Sequence, residues 1–177
     1  SNSSIGILDQ IEKIIGIKPE FHAFDLCDTE KVKSFVAAQT DIKGIIHFAA
    51  SKAVGESVAK PLKYYENNFF TLINLLQAYQ EKPINFVFSS SCTVYGEPDV
   101  LPVTEAAPVK KATSPYGNTK QIAEEILEES ASAYDNYNWL SVVGLQSGMI
   151  SAYGDKTDEY VGITESIYES TDGYGNK

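Results

Sequence analysis

The run Asn85-Phe-Val-Phe-Ser-Ser-Ser91-Cys-Thr93-Val-Tyr-Gly96 limits the possible folds of this chain more than any other stretch. Phe86, Val87 and Phe88 follow one another without a polar residue, as a strand buried on both faces requires, and then give way to serines. Gly96 closes the turn that follows. Ligands of open α/β sheets sit at the carboxyl ends of the strands, so hydroxyls gathered there stand in the right place for chemistry. Downstream, Ser114-Pro-Tyr116-Gly-Asn-Thr-Lys120 reads as the opening of a helix, with Ser114 as N-cap and Pro115 at its first position. Tyr116 and Lys120 are four residues apart and leave the same helical face.

That spacing has a chemical use. A free tyrosine, with a pKa of about 10, is too weakly acidic to serve as a base at neutral pH. An ammonium one turn away favours the phenolate, and a cationic cofactor would favour it further. Lowering the pKa by three units requires roughly 4 kcal/mol of differential stabilisation, within reach of such charges in a dry site. Ser91 or Thr93 could then share a proton with a substrate hydroxyl. The plainer alternative is one helical stripe of Tyr116, Lys120, Ala123 and Leu127 with the tyrosine and lysine at its wet end.

Composition narrows the class. The 177 residues suit one domain, and 43% hydrophobic residues suffice for a packed core. A net charge of −10 offers no basic stripe to phosphates, so nucleic acid is not an expected partner. Two cysteines, Cys27 and Cys92, make no disulfide scaffold; with only His22 and His47 they give neither a zinc pattern nor a ready Cys–His nucleophile, so no metal is expected. His47 reads as a strand histidine. No signal peptide and no bilayer-length apolar run is found, which makes a cytoplasmic protein without a membrane partner the expectation.

Along the chain, helical and strand patterns alternate. Ile5, Leu8, Ile11, Ile14 and Ile15 mark a serine-capped amphipathic helix that ends at Gly16. Phe21 to Leu26 reads as a short strand, and Asp28 caps a helix through Val32, Phe35 and Val36. Gly44 to Ala50 reads as a parallel strand, residues 51–57 as a loop, and Pro61 as the start of a long helix with Tyr65, Phe69, Leu72 and Leu76 inside. The 85–91 strand, a Pro-rich loop over 97–112, the Tyr116 helix and a strand over 139–145 follow. This order predicts a doubly wound parallel α/β sheet, and residues 151–177 read as an irregular tail.

Ser89-Ser-Ser-Cys-Thr-Val-Tyr-Gly96 and Ser114-Pro-Tyr-Gly-Asn-Thr-Lys120 resemble the active-site segments of the extended short-chain dehydrogenase/reductases, and within them the UDP-glucose 4-epimerase branch. The likeness runs in order from Ser1 to about Tyr137. It implies a Rossmann-like fold, NAD as cofactor, a UDP-sugar as substrate, and epimerisation at C4 of a UDP-hexose through transient oxidation to a 4-keto sugar. In that reading Tyr116 is the base, Lys120 tunes it and holds the nicotinamide ribose, Ser91 relays the hydroxyl proton, and Thr93 contacts the substrate. Asp25 and Leu26 match positions that hold the adenine, Asn2 and Ser3 match neighbours of its ribose, Phe48, Ala49 and Lys52 match the loop along the phosphates and ribose, and Asn67 matches a side chain near the nicotinamide. The related 4,6-dehydratases carry an Asp-Glu pair where this chain has Cys92-Thr93-Val94, so an extra acid and base are missing for dehydration.

Two departures qualify the expectation. None of the twelve glycines forms the Gly-x-x-Gly-x-x-Gly turn that seats the cofactor pyrophosphate. The segment after Trp139 also leaves the family pattern. The expected organisation is therefore an incomplete NAD-binding Rossmann domain over 1–150, carrying the catalytic residues, and an irregular tail or substrate-domain remnant over 151–177, with neighbouring strands unpaired and apolar surface exposed. Open alternatives are a non-catalytic truncated fragment and another nucleotide-sugar enzyme of the same superfamily, a reductase or a different epimerase. A homodimer is compatible with either.

Overall fold

The computed structural model describes residues 4–82, 84–104, 106–133 and 137–142. Three parallel strands, β1 (Gly44–His47), β2 (Ile84–Ser89) and β3 (Tyr137–Val142), form a sheet in that order. β2 is central, and its register sets His47 beside Phe88 and Ser89 beside Val142. Five α-helices accompany them: α1 (Ile7–Ile15), α2 (Thr29–Ala38), α3 (Val54–Ala59), α4 (Pro61–Ala78) and α5 (Pro115–Ala133).

One side of the sheet is covered. Ile84, Phe86 and Phe88 alternate onto the face that packs against Val32 and Val36 of α2, Leu72, Leu75 and Leu76 of α4, and Ala123 and Leu127 of α5. The opposite face of β2 carries exposed Asn85 and half-buried Val87 and Ser89, and Ile46 beside Val87 is 63% exposed. Thus β2 is buried on one face, not two, among the described residues. The fold is a parallel α/β sheet of Rossmann type, incomplete in its layers, and among the described residues β1 pairs on one edge only.

Several expectations are met for the expected reasons. Asp28 caps α2 by accepting the Lys31 N–H at 3.2 Å, Pro61 opens α4, and Gly16 ends α1 in the left-handed region at φ +75°. Others are corrected. The cap of α1 is Gly6, with no side-chain bond; the Ser4 hydroxyl turns back to accept the Gly6 N–H. No residue of α1 is buried. Residues 21–26 are not a strand, because no described segment pairs with their backbone. The loop over 51–57 contains the start of α3. The buried stripe of α4 is Tyr64, Asn68, Thr71, Leu72, Asn74, Leu75 and Leu76, while Tyr65 and Phe69 are half-buried; the polar Asn68, Thr71 and Asn74 hid its true phase. β3 begins at Tyr137, ahead of the expected Trp139. The tail over 151–177 lies outside the described residues.

Leu72 has no exposed surface and Ile14 is 81% exposed. Leu72→Ala should lower the unfolding free energy by about 2–5 kcal/mol, and Ile14→Ala should change it by less than about 0.5 kcal/mol, both measured by urea denaturation.

Candidate active site

β2 ends at Ser89, and the chain turns through extended Ser91 into a 3-10 turn over Cys92–Tyr95. The Ser91 hydroxyl accepts from the Thr93 hydroxyl at 3.0 Å and from the Thr93 N–H at 3.4 Å, so the two predicted proton-handling groups are already in contact. Gly96 then adopts φ +63°, where a Cβ would lie 2.5 Å from the Lys111 carbonyl oxygen; only glycine fits. Gly117 backs onto Thr93, its ideal Cβ position 3.1 Å from the Thr93 Cβ. The first turn of α5 is thereby pressed against the serine-rich turn.

The backbone around Tyr116 is fixed from both sides. Its N–H donates to the Ser57 hydroxyl at 3.1 Å, and its carbonyl accepts from the Thr119 hydroxyl at 2.7 Å. Ser114 caps the helix as expected, accepting the Gly117 N–H at 3.1 Å. Buried Asn68 donates to the Thr119 hydroxyl at 3.0 Å and to the Ser51 carbonyl at 3.1 Å, and accepts the Ser51 N–H at 2.7 Å. The loop after β1, helix α4 and helix α5 therefore meet in one amide side chain.

Tyr116 is 6% and Lys120 4% exposed, so neither sits at a wet helix end. Lys120 Nζ donates to the Ser89 carbonyl at 2.6 Å and lies 4.5 Å from the centre of the Phe88 ring. Burial pushes its pKa down to about 8, against a smaller upward pull from Glu124. Tyr116 departs from the sequence expectation: burial raises its pKa, the Ser91 hydroxyl opposes the rise, and Cys92 adds to it. In the free protein the cost of burying a phenolate is the largest influence on Tyr116 and outweighs the Ser91 bond.

The residues matched to the cofactor's nucleoside end divide. Asp25, Leu26, Ala49 and Asn67 line one cavity of about 480 Å³, with His22, Phe24, Ala50, Ser51 and Thr71. Asp25 accepts the Cys27 N–H at 2.9 Å, and Asn74 holds the Leu26 carbonyl at 2.8 Å, which fixes this extended segment without a sheet partner. Phe48, 60% exposed, and exposed Lys52 lie outside that cavity lining. Asn2 and Ser3 lie outside the described residues.

Sequence reasoning passed over Ser57, Asn68 and Thr119, which hold the site without reacting. Thr119 and Asn68 carried a signal in their helical spacing from Tyr116 and Tyr64; Ser57 carried none, because its partner lies across the fold.

Serines closing a parallel strand, beside a helix that carries tyrosine and lysine four residues apart, place the fold in the Rossmann class, whose ligands sit at the strand ends. The sequence profile of the GDP-mannose 4,6 dehydratase family matches residues 1–161, and the chain belongs to that family, within the extended short-chain dehydrogenase/reductases. The UDP-glucose 4-epimerase of Bacillus subtilis is 47% identical over 141 residues, which are 78% of this chain and 40% of that protein. The UDP-glucose 4-epimerase of Schizosaccharomyces pombe is 38% identical over 171 residues, 94% of this chain and 48% of that protein. Among solved structures, the Bifidobacterium longum UDP-glucose 4-epimerase in complex with NAD+ and UDP aligns with a TM-score of 0.74 at 38% identity, covering 78% of this chain and 42% of that one. The chain spans less than half the length of these relatives. Among the described residues, no helix is long and apolar enough to cross a membrane, and no cluster of His, Cys, Asp or Glu could hold a metal.

His47, 4% exposed and held among Phe86 and Phe88, has its pKa lowered to about 4 by burial and by the Lys120 charge. A depressed histidine contributes stability that is present above its unfolded value, near 6.5, and is lost as pH falls through about 4. Urea denaturation should show roughly 3 kcal/mol lost across that window. His47→Phe should remove that slope.

Proposed function

We propose that this chain carries the acid–base part of an NAD-dependent site that inverts C4 of a UDP-hexose, interconverting UDP-glucose and UDP-galactose. The observation that carries the reading is the meeting of Ser91, Thr93 and the buried Tyr116 at the end of β2, with the cavity at Asp25, Leu26, Ala49 and Asn67 in the same fold. Tyr116 takes the proton from the sugar 4-hydroxyl, Ser91 relays it, and Thr93 orients the hydroxyl through its bond to Ser91. Asp25 and Leu26 hold the adenosine end of the cofactor and Asn67 lies toward the nicotinamide, with Asn2, Ser3, Phe48, Ala49 and Lys52 along the dinucleotide. Lys120 binds the nicotinamide ribose. NAD, when bound, supplies hydride acceptance and return, and its cationic ring favours the Tyr116 phenolate, which burial alone disfavours.

The absence of carboxylates at Cys92-Thr93-Val94 supports epimerisation over dehydration. The second reading is a non-catalytic fragment, and the two differ in whether these 177 residues bind the cofactor by themselves. We take cytoplasmic residence and a homodimer as parts of the first reading.

Calorimetric titration of NAD+ into the folded chain distinguishes them. A saturable isotherm is expected, weakened about tenfold in Asp25→Ala, which corresponds to about 1.4 kcal/mol. UDP-galactose conversion should fall at least about 100-fold in Tyr116→Phe. A chain that is folded by circular dichroism yet binds no NAD+ would overturn the first reading.

A further inference from the structure

His47 is not assigned a task by the chemistry proposed above, yet it occupies the strand position beside Phe88, the ring on which Lys120 rests. Its imidazole and the Phe88 ring are nearly parallel, at 19° with centroids 6.1 Å apart, and Phe86 closes the other approach at 5.8 Å. Phe86 and Phe88 are almost fully buried, and His47 is as buried as Lys120 itself. The ammonium therefore meets an aromatic surface below and one carbonyl oxygen, that of Ser89, at 2.6 Å.

We infer that His47 is a positioning residue for Lys120: its imidazole extends the Phe88 ring into a dry aromatic floor that holds the ammonium on the Ser89 carbonyl. The reasoning is steric and electrostatic. An aliphatic or missing side chain would open a gap at the edge of Phe88 large enough to admit water, which would compete for the ammonium and loosen its bond to Ser89. A protonated imidazole would set a second positive charge near the first. The charged or titratable groups whose fields bear on these two residues are few: Lys120 on α5 acts on His47, and Glu124, one turn further along α5, acts on Lys120. The imidazole thus works in its neutral form, as an aromatic surface and not as a proton carrier.

This inference rests on the reading that Lys120 serves Tyr116, but its test needs neither NAD+ nor a sugar. The chain is produced with 13C at the lysine ε-carbons, Lys120 is assigned by Lys120→Arg, and the signal is followed by NMR across alkaline pH. In the native chain the midpoint should fall near 8. His47→Phe, which keeps an uncharged ring, should hold it there. His47→Ala and His47→Asn, which remove the ring, should move it upward toward the ordinary lysine value of 10.5. The asparagine variant retains polar bulk in case the alanine variant fails to fold. A space-filling histidine would lower the melting temperature when replaced and leave the Lys120 midpoint unchanged. That result in either folded ring-deletion variant, or a midpoint displaced equally by His47→Phe, would overturn the inference. Failure of the chain to bind NAD+ would leave the midpoint comparison intact and count only against the function proposed above.

Discussion

The bond from the Lys120 ammonium to the Ser89 carbonyl joins the last residue of the central strand to the first turns of α5. A carbonyl at the buried end of a strand must find a donor. Here the donor is a charged side chain from the next element of the active surface. Satisfying the backbone and placing the lysine are one event, so the strand cannot end elsewhere without displacing the candidate site.

Around that bond the remaining contacts act as a frame. Ser57 holds the Tyr116 N–H from α3, Thr119 takes its carbonyl, and Asn68 ties Thr119 to the loop beyond β1. These are neutral hydrogen bonds in a buried setting, individually modest in net worth but costly to leave half-made. The same loop supplies Ala49, Ala50 and Ser51 to the cavity lined by Asp25, Leu26 and Asn67. Asn68 therefore couples the wall of the candidate cofactor cavity to the helix that carries the tyrosine.

Much of this was legible in the sequence because it is local. The strand that ends in serines, the Ser114-Pro115 cap and the four-residue step from Tyr116 to Lys120 are statements about neighbours along the chain, and each is found in the structure, although the strand is buried on one face and not two. Phe21–Leu26 failed as a strand because strand identity is conferred by a pairing partner, which no pattern within six residues contains. The α4 stripe was mis-phased because Asn68 and Thr71 are buried through long-range bonds, and polar residues do not advertise burial. The direction of the Tyr116 shift was missed for a related reason. Spacing showed that a lysine stood nearby, but not how deeply the fold buries the tyrosine, and burial is what raises its pKa.

The open face of the sheet has a consequence for how the chain behaves in bulk. Exposed Ile46 beside Val87, next to an edge of β1 that has no strand partner among the described residues, is a sticky strip that another copy could pair with. The excess negative charge of the chain supplies colloidal repulsion between such strips, and that repulsion fades on approach to the isoelectric point near 4.6. Mild acid thus withdraws the chain's protection from coagulation over the same pH range in which burial of neutral His47 costs it stability.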